Sequence, residues 1–133
     1  MKKKNWYWII GIIILLLILI VVFRSFTGED NWIKDSRGVW IKHGNPSSIP
    51  DSVKEQQDII DCALGLYNDE KTRGISFNSQ CLGKCNDYSV DVVNVPRTNE
   101  DNLVENQCAD FRNGLTKHFI ELDKDGNIVR IVE

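Results

Sequence analysis

The chain has 133 residues, about one domain's worth, and a formal net charge of −3 at pH 7. The charge is unevenly placed. Residues 1–24 hold four basic and no acidic residues, so the remaining 109 carry twelve basic against nineteen acidic, a net of −7. An acidic body of this kind sets nucleic acid aside, because such affinity comes largely from Lys and Arg on phosphates, and it offers no basic patch for anionic lipid.

The N-terminus reads MKKKNWYWIIGIIILLLILIVVFRSFTGED. No charge interrupts Trp6 to Phe23. Eighteen helical residues rise about 27 Å, close to the hydrocarbon core of a bilayer, so residues 6–24 are expected to form a transmembrane helix with the lipid bilayer as their partner. Trp6, Tyr7 and Trp8 cluster where amphipathic rings favour the headgroup layer. Lys2, Lys3 and Lys4 precede the span, whereas Arg24 and then Glu29 and Asp30 follow it. The positive-inside rule therefore puts residues 1–5 in the cytoplasm as a basic tail and residues 25–133 outside the cell membrane as a separate domain. The span exceeds the 7–15 apolar residues of a cleaved signal peptide, and Ser25 with Thr27 makes a poor cleavage site, so the segment reads as an uncleaved signal-anchor.

The outer domain opens with a near repeat, Trp32-Ile33-Lys34 and Trp40-Ile41-Lys42, around Asp35-Ser36-Arg37-Gly38 and Val39. Two β-prone runs around a Gly turn read as a hairpin, and "NPSSIP" then breaks regular structure. A helix is expected from Asp51, with Ser52 and Glu55 as a capping box. Val53, Ile59, Ile60, Ala63, Leu64 and Tyr67 share one face, Cys62 lies within the helix, and Gly74 closes it. Asp51, Asp58 and Asp61 read as its solvated side.

"DYSVDVVNVP" (87–96) alternates like a strand. "TNEDNLVENQCADFRNG" places Leu103, Val104, Cys108 and Phe111 so that a second helix is expected between Thr98 and Asn113-Gly114. "KHFIELDKDGNIVRIVE" reads as two strands around Asp123-Lys124-Asp125-Gly126, with Ile120, Leu122 and Ile128 inward. The fold class is α+β: about two helices on a small antiparallel sheet.

Cys62, Cys81, Cys85 and Cys108 are an even set in a domain placed outside the cytoplasm, where disulfides are the default. Of the three pairings, Cys81–Cys85 closes a very small loop. The cross-braced arrangement is expected instead, each of Cys81 and Cys85 joined to one of Cys62 and Cys108, with the partners left open and "QCLGKC" as a loop pinned at two points. A four-cysteine zinc site would use two C-x-x-C knuckles, and a redox dithiol one such motif beside a βαβ pattern; neither is present. Glu121, Asp123, Asp125 and Gly126 imitate the start of a calcium loop, but position 12 falls on Val132. No metal, no cofactor and no catalytic residue is therefore assigned. His43 and His118 have no motif around them that marks acid–base work.

A function-bearing loop is expected at the irregular "VPRTNEDN", while the hairpin tryptophans are left facing the core, the membrane surface or a partner. Trp32, Trp40, His43, Arg97 and Asn99 form the expected binding surface. The runs "WIKDSRGVWIKHGNPSSIP", "QCLGKC", "VPRTNEDN", "ENQCADFRNG" and "HFIELDKDGNIVRIV" resemble a group of small uncharacterised single-pass membrane proteins of archaeal genomes; the resemblance implies a cell-surface setting and no activity. In architecture alone the chain is also similar to type IV pilin-like subunits, although "KKKNWYW" has no small residue before the apolar run and Gly28 interrupts the helix. These readings point to a non-catalytic binding or assembly module partnered by other membrane or surface proteins. The alternatives are a pilin-like filament subunit and a small disulfide or redox-active enzyme.

Overall fold

The computed structural model describes residues 3–26 and 30–133, with side chains from Trp6 to Phe23 and from Asp30 onward. Lys2 and residues 27–29, including Thr27 of the weak cleavage site, lie outside the described residues. Helix α1 (Lys3–Phe26) runs unbroken for 24 residues. Its Trp6–Phe23 window has a mean hydropathy of 3.0 and is not buried at all. By length and composition α1 is long and apolar enough to cross a membrane, and among the described residues none covers it.

The remaining elements form an α+β head. Strands β1 (Asn31–Lys34) and β2 (Trp40–His43) pair as the expected hairpin. Helix α2 (Asp51–Thr72) follows, and then β3 (Gln80–Cys85), β4 (Tyr88–Val92), the short helix α3 (Ala109–Arg112), β5 (His118–Leu122) and β6 (Ile128–Val132). The main sheet has the order β3-β4-β5-β6. Its outer ladders are antiparallel, and the central ladder, β4 with β5, is parallel. A parallel pair needs a long crossover, here residues 93–117, and that crossover becomes the second cover of the sheet.

Helix α2 covers the first face. Val53, Ile59, Ala63 and Tyr67 are buried, and the last three join Val90, Ile120, Leu122 and Ile131 of the sheet in one core cluster. Asp51, Asp58 and Asp61 are exposed, as their spacing requires. The Tyr67 hydroxyl donates to the Lys124 carbonyl at 3.0 Å, which ties the helix to the β5–β6 turn. Gly74, at φ +77°, follows the helix end. In the β5–β6 turn, Asp123 accepts from the backbone N–H groups of Asp125 and Asn127. That carboxylate is spent on closing a hairpin.

Three local expectations need correction. Pro50 is the N-cap of α2 and no side chain caps it, because Ser52 already lies inside the first turn. The segment 98–113 is not one helix. It forms two 3-10 turns (Asn99–Asn102 and Val104–Asn106) and only one turn of α-helix, with Leu103 and Gln107 extended between them. Leu103 and Val104 stay exposed, so no apolar stripe is buried to sustain a helix.

The third correction concerns "QCLGKC", which is strand β3 and not a loop. Cysteines four apart on a regular strand point to the same face. Here the register slips between Cys81 and Gly83, so Cys81 pairs with Asp91 while Cys85 pairs with Tyr88. Asp91 and Tyr88 point to opposite faces of β4, and so do their partners. The bulge thus splits the cysteine pair across the sheet. Gly83 sits at φ +142°, where a side chain is strained, and faces Leu66 of α2. On one face Cys85 bonds to Cys62 of α2; on the other Cys81 bonds to Cys108 of the crossover. The cross-brace is the one expected, and each bond staples one cover to the sheet.

Candidate binding cavity

The in-register pairs define a row across the second face: Cys81 on β3, Asp91 on β4, Glu121 on β5 and Arg130 on β6. One residue from each strand thus enters the same line. The crossover lays Arg97, Asp101, Cys108 and Phe111 over it, and Phe119 lies beside Glu121 on β5. Between cover and sheet remains a cavity of about 160 Å³.

Glu121 is its electrostatic centre. The side chain is only 5% exposed and accepts from Arg97 Nη1 at 2.7 Å and from Arg130 Nε at 2.5 Å. Burial works against its charge, but the hydrogen bonds from Arg130 and Arg97 prevail and hold its carboxyl below the usual range. Both guanidiniums remain partly open to solvent. Arg130 also lies over the Phe119 ring at 4.9 Å, and Phe119 meets Phe111 edge-on at 5.2 Å.

Asp91 has the opposite environment. Its Oδ1 is buried without a hydrogen-bond partner. Burial pushes its carboxyl up to about 6; the Cys108 backbone N–H and the Arg97 charge pull it down, and the Glu121 charge pushes it further up. Its carboxylate lies within 4.8 Å of the sulfurs of Cys81 and Cys108. With those sulfurs bonded to each other, no thiolate is offered to a metal there.

Asp101 organises the cover. It is buried and accepts from the backbone N–H groups of Asn94 and Thr98 at 2.9 and 2.6 Å. Burial opposes its charge, but these bonds hold its carboxyl below the usual range. Thr98, the expected start of a helix, thus heads a 3-10 turn instead.

The expected binding residues fall into two groups. Arg97 lines the cavity, and Asn99 is exposed two residues along. Trp32, Trp40 and His43 belong to the hairpin, and none of them lines the cavity. The hairpin docks onto the head through its turn: the Ile131 N–H donates to the Arg37 carbonyl at 2.7 Å. Gln56 of α2 fixes it further, accepting from the Trp40 N–H at 2.8 Å and donating to the Gly38 carbonyl at 2.9 Å. Trp32 and Trp40 are half-buried, and His43 is exposed. His118 lies 3.6 Å from the Asp87 carboxylate, in a wider groove of about 540 Å³.

Sequence reasoning missed Asp91, Glu121, Arg130 and Phe119. Their alternation was visible, but it reads as a solvated strand face unless the crossover is known to return over it.

No family model, no curated protein and no solved structure matches the chain.

Proposed function

We propose that the chain is a single-pass membrane protein whose N-terminus is cytoplasmic and whose disulfide-braced head, residues 25–133, works outside as a binding module for another membrane or surface protein. The observation that carries the reading is the size and lining of the cavity. About 160 Å³ falls below the 300–1,000 Å³ typical of small-molecule sites, and suits one anchoring side chain of a partner. Two half-open guanidiniums fixed on a buried carboxylate, beside the rings of Phe111 and Phe119, are residue types enriched at the cores of protein interfaces. The span of α1 and the two bridges support a membrane-bound head in an oxidising compartment.

The test is cross-linking of the full chain in its own membranes, followed by capture in mild detergent, beside the Arg97→Ala/Arg130→Ala double variant. The reading expects a partner lost in the double variant. The same partner recovered equally from both would overturn the assignment of the cavity. Digestion of the head by an impermeant protease added to intact cells tests the orientation, and full protection would overturn it.

A further inference from the structure

We infer that the Cys81–Cys108 bond is an exchangeable disulfide, a site that reacts with dithiols, and that Asp91 is its proton donor. This does not depend on the binding reading. Both bridges join an exposed cysteine to a buried one: Cys62 with Cys85, and Cys81 with Cys108. Accessibility therefore does not separate them. The surroundings do. The Asp91 carboxyl lies within 4.8 Å of both sulfurs of the second bridge, and among the described residues no such group is formed at the first. Asp91 Oδ1 is buried and has no hydrogen bond that would occupy it. Glu121 and Arg97 face Asp91, and Arg130 and Asp101 complete the charged wall of the cavity.

The reduced state is also provided for. Cys108 Sγ lies 3.5 Å from the carbonyl oxygens of Gly83 and Val90. A thiol at Cys108 has acceptors waiting, whereas a thiolate there would face two carbonyl dipoles and Asp91 in a buried place. Cys108 therefore has to leave as a thiol, and Asp91, within 4.8 Å, is the acid that can supply the proton through one bridging water or a small side-chain rotation.

One thiolate of a dithiol attacks the exposed Cys81 sulfur. The bond to Cys108 breaks, its electron pair goes to Cys108 Sγ, and that sulfur takes the Asp91 proton. The second thiolate of the dithiol attacks its own first sulfur and releases Cys81, which is protonated from water. Asp91 regains a proton through the cavity. The dithiol is oxidised to its disulfide, the bridge is reduced to two thiols, and two electrons move.

The test follows the reduction of each bridge in the full chain in micelles, using dithiothreitol as the probe, differential alkylation and peptide mass analysis. At pH 5, where Asp91 holds its proton, wild type should lose Cys81–Cys108 roughly tenfold or more faster than Cys62–Cys85, which is the internal control. Divided by the thiolate fraction of dithiothreitol, the Cys81–Cys108 rate should fall as pH rises through about 6. Asp91→Asn should lower it roughly tenfold below pH 6 and flatten the profile, leaving the other bridge unchanged. Equal rates for the two bridges at pH 5, or a flat wild-type profile, would overturn the inference. The wild-type profile decides even where the variant misfolds.

Discussion

On one face of the sheet a single helix of 22 residues covers Val90, Ile120, Leu122 and Ile131. On the other, 25 residues of turns cover Ser89, Asp91, Phe119 and Glu121. The first face is apolar and regular. The second is polar, closed by backbone N–H groups that donate to Asp101 and by the buried Ser89–Thr116 hydroxyl pair at 2.7 Å. The difference shows how a small head can separate the two tasks. The helix face supplies burial, and the crossover face holds ionisable groups at a cost in stability that the helix face offsets.

Substitutions that distinguish the faces should follow that division. Ile120→Ala, at a fully buried position facing α2, should cost about 3–4 kcal/mol in thermal or denaturant unfolding of the full chain in micelles. Phe119→Ala, half-buried on the cavity side, should cost less than half as much. Losing either bridge, by Cys62→Ala/Cys85→Ala or by Cys81→Ala/Cys108→Ala, should cost about 3 kcal/mol. The two should be close, because the bridged residues are 23 and 27 apart. A large inequality would mean that one face carries strain the other lacks.

Asp91 and Glu121 give the cavity face a pH signature. The folded carboxyl of Asp91 lies above its ordinary value of 3.8, at about 6. Its contribution to stability is therefore complete below about pH 4 and is lost as pH rises through about 6. The shift corresponds to about 3 kcal/mol at most. Glu121 runs the other way: its lowered carboxyl stabilises above its ordinary value of 4.5, and that stability is lost as pH falls through the lowered value. Asp91→Asn should thus raise the unfolding midpoint at pH 8 and leave it nearly unchanged at pH 4. A midpoint that drops at pH 8 would show that the charged carboxylate is needed.

Smaller effects test the splitting of the cysteines. Gly83→Ala forces a side chain into φ +142° and should cost about 1–2 kcal/mol, measured by the same unfolding. Asp51→Asn, which removes a pair with Lys54 on the exposed start of α2, should leave the midpoint where it was.

The legible part of this head was the part governed by periodicity. The long apolar helix before it, the hairpin of Trp32 and Trp40, the inward face of α2 and the β5–β6 turn all follow from local spacing. What was hidden depends on contacts distant in sequence. Strand β3 was obscured because its bulge removes the alternation that would reveal it. The helix expected over 98–113 failed because the same Asn and Asp residues serve as turn formers when no apolar stripe is buried. Asp91 and Glu121, 30 residues apart, become a site only when the crossover between them lays Arg97 and Cys108 across both. The cross-brace was readable as a set, yet the choice of partners rests on which face the bulge gives each cysteine.

The central claim is that the bulge in "QCLGKC" sends its two cysteines to opposite covers of the sheet. Peptide mapping of the unreduced full chain tests this most directly. The expected result is two linked species, Cys62 with Cys85 and Cys81 with Cys108, and no alkylatable thiol in the native protein. A Cys81–Cys85 link, or four free thiols, would contradict it.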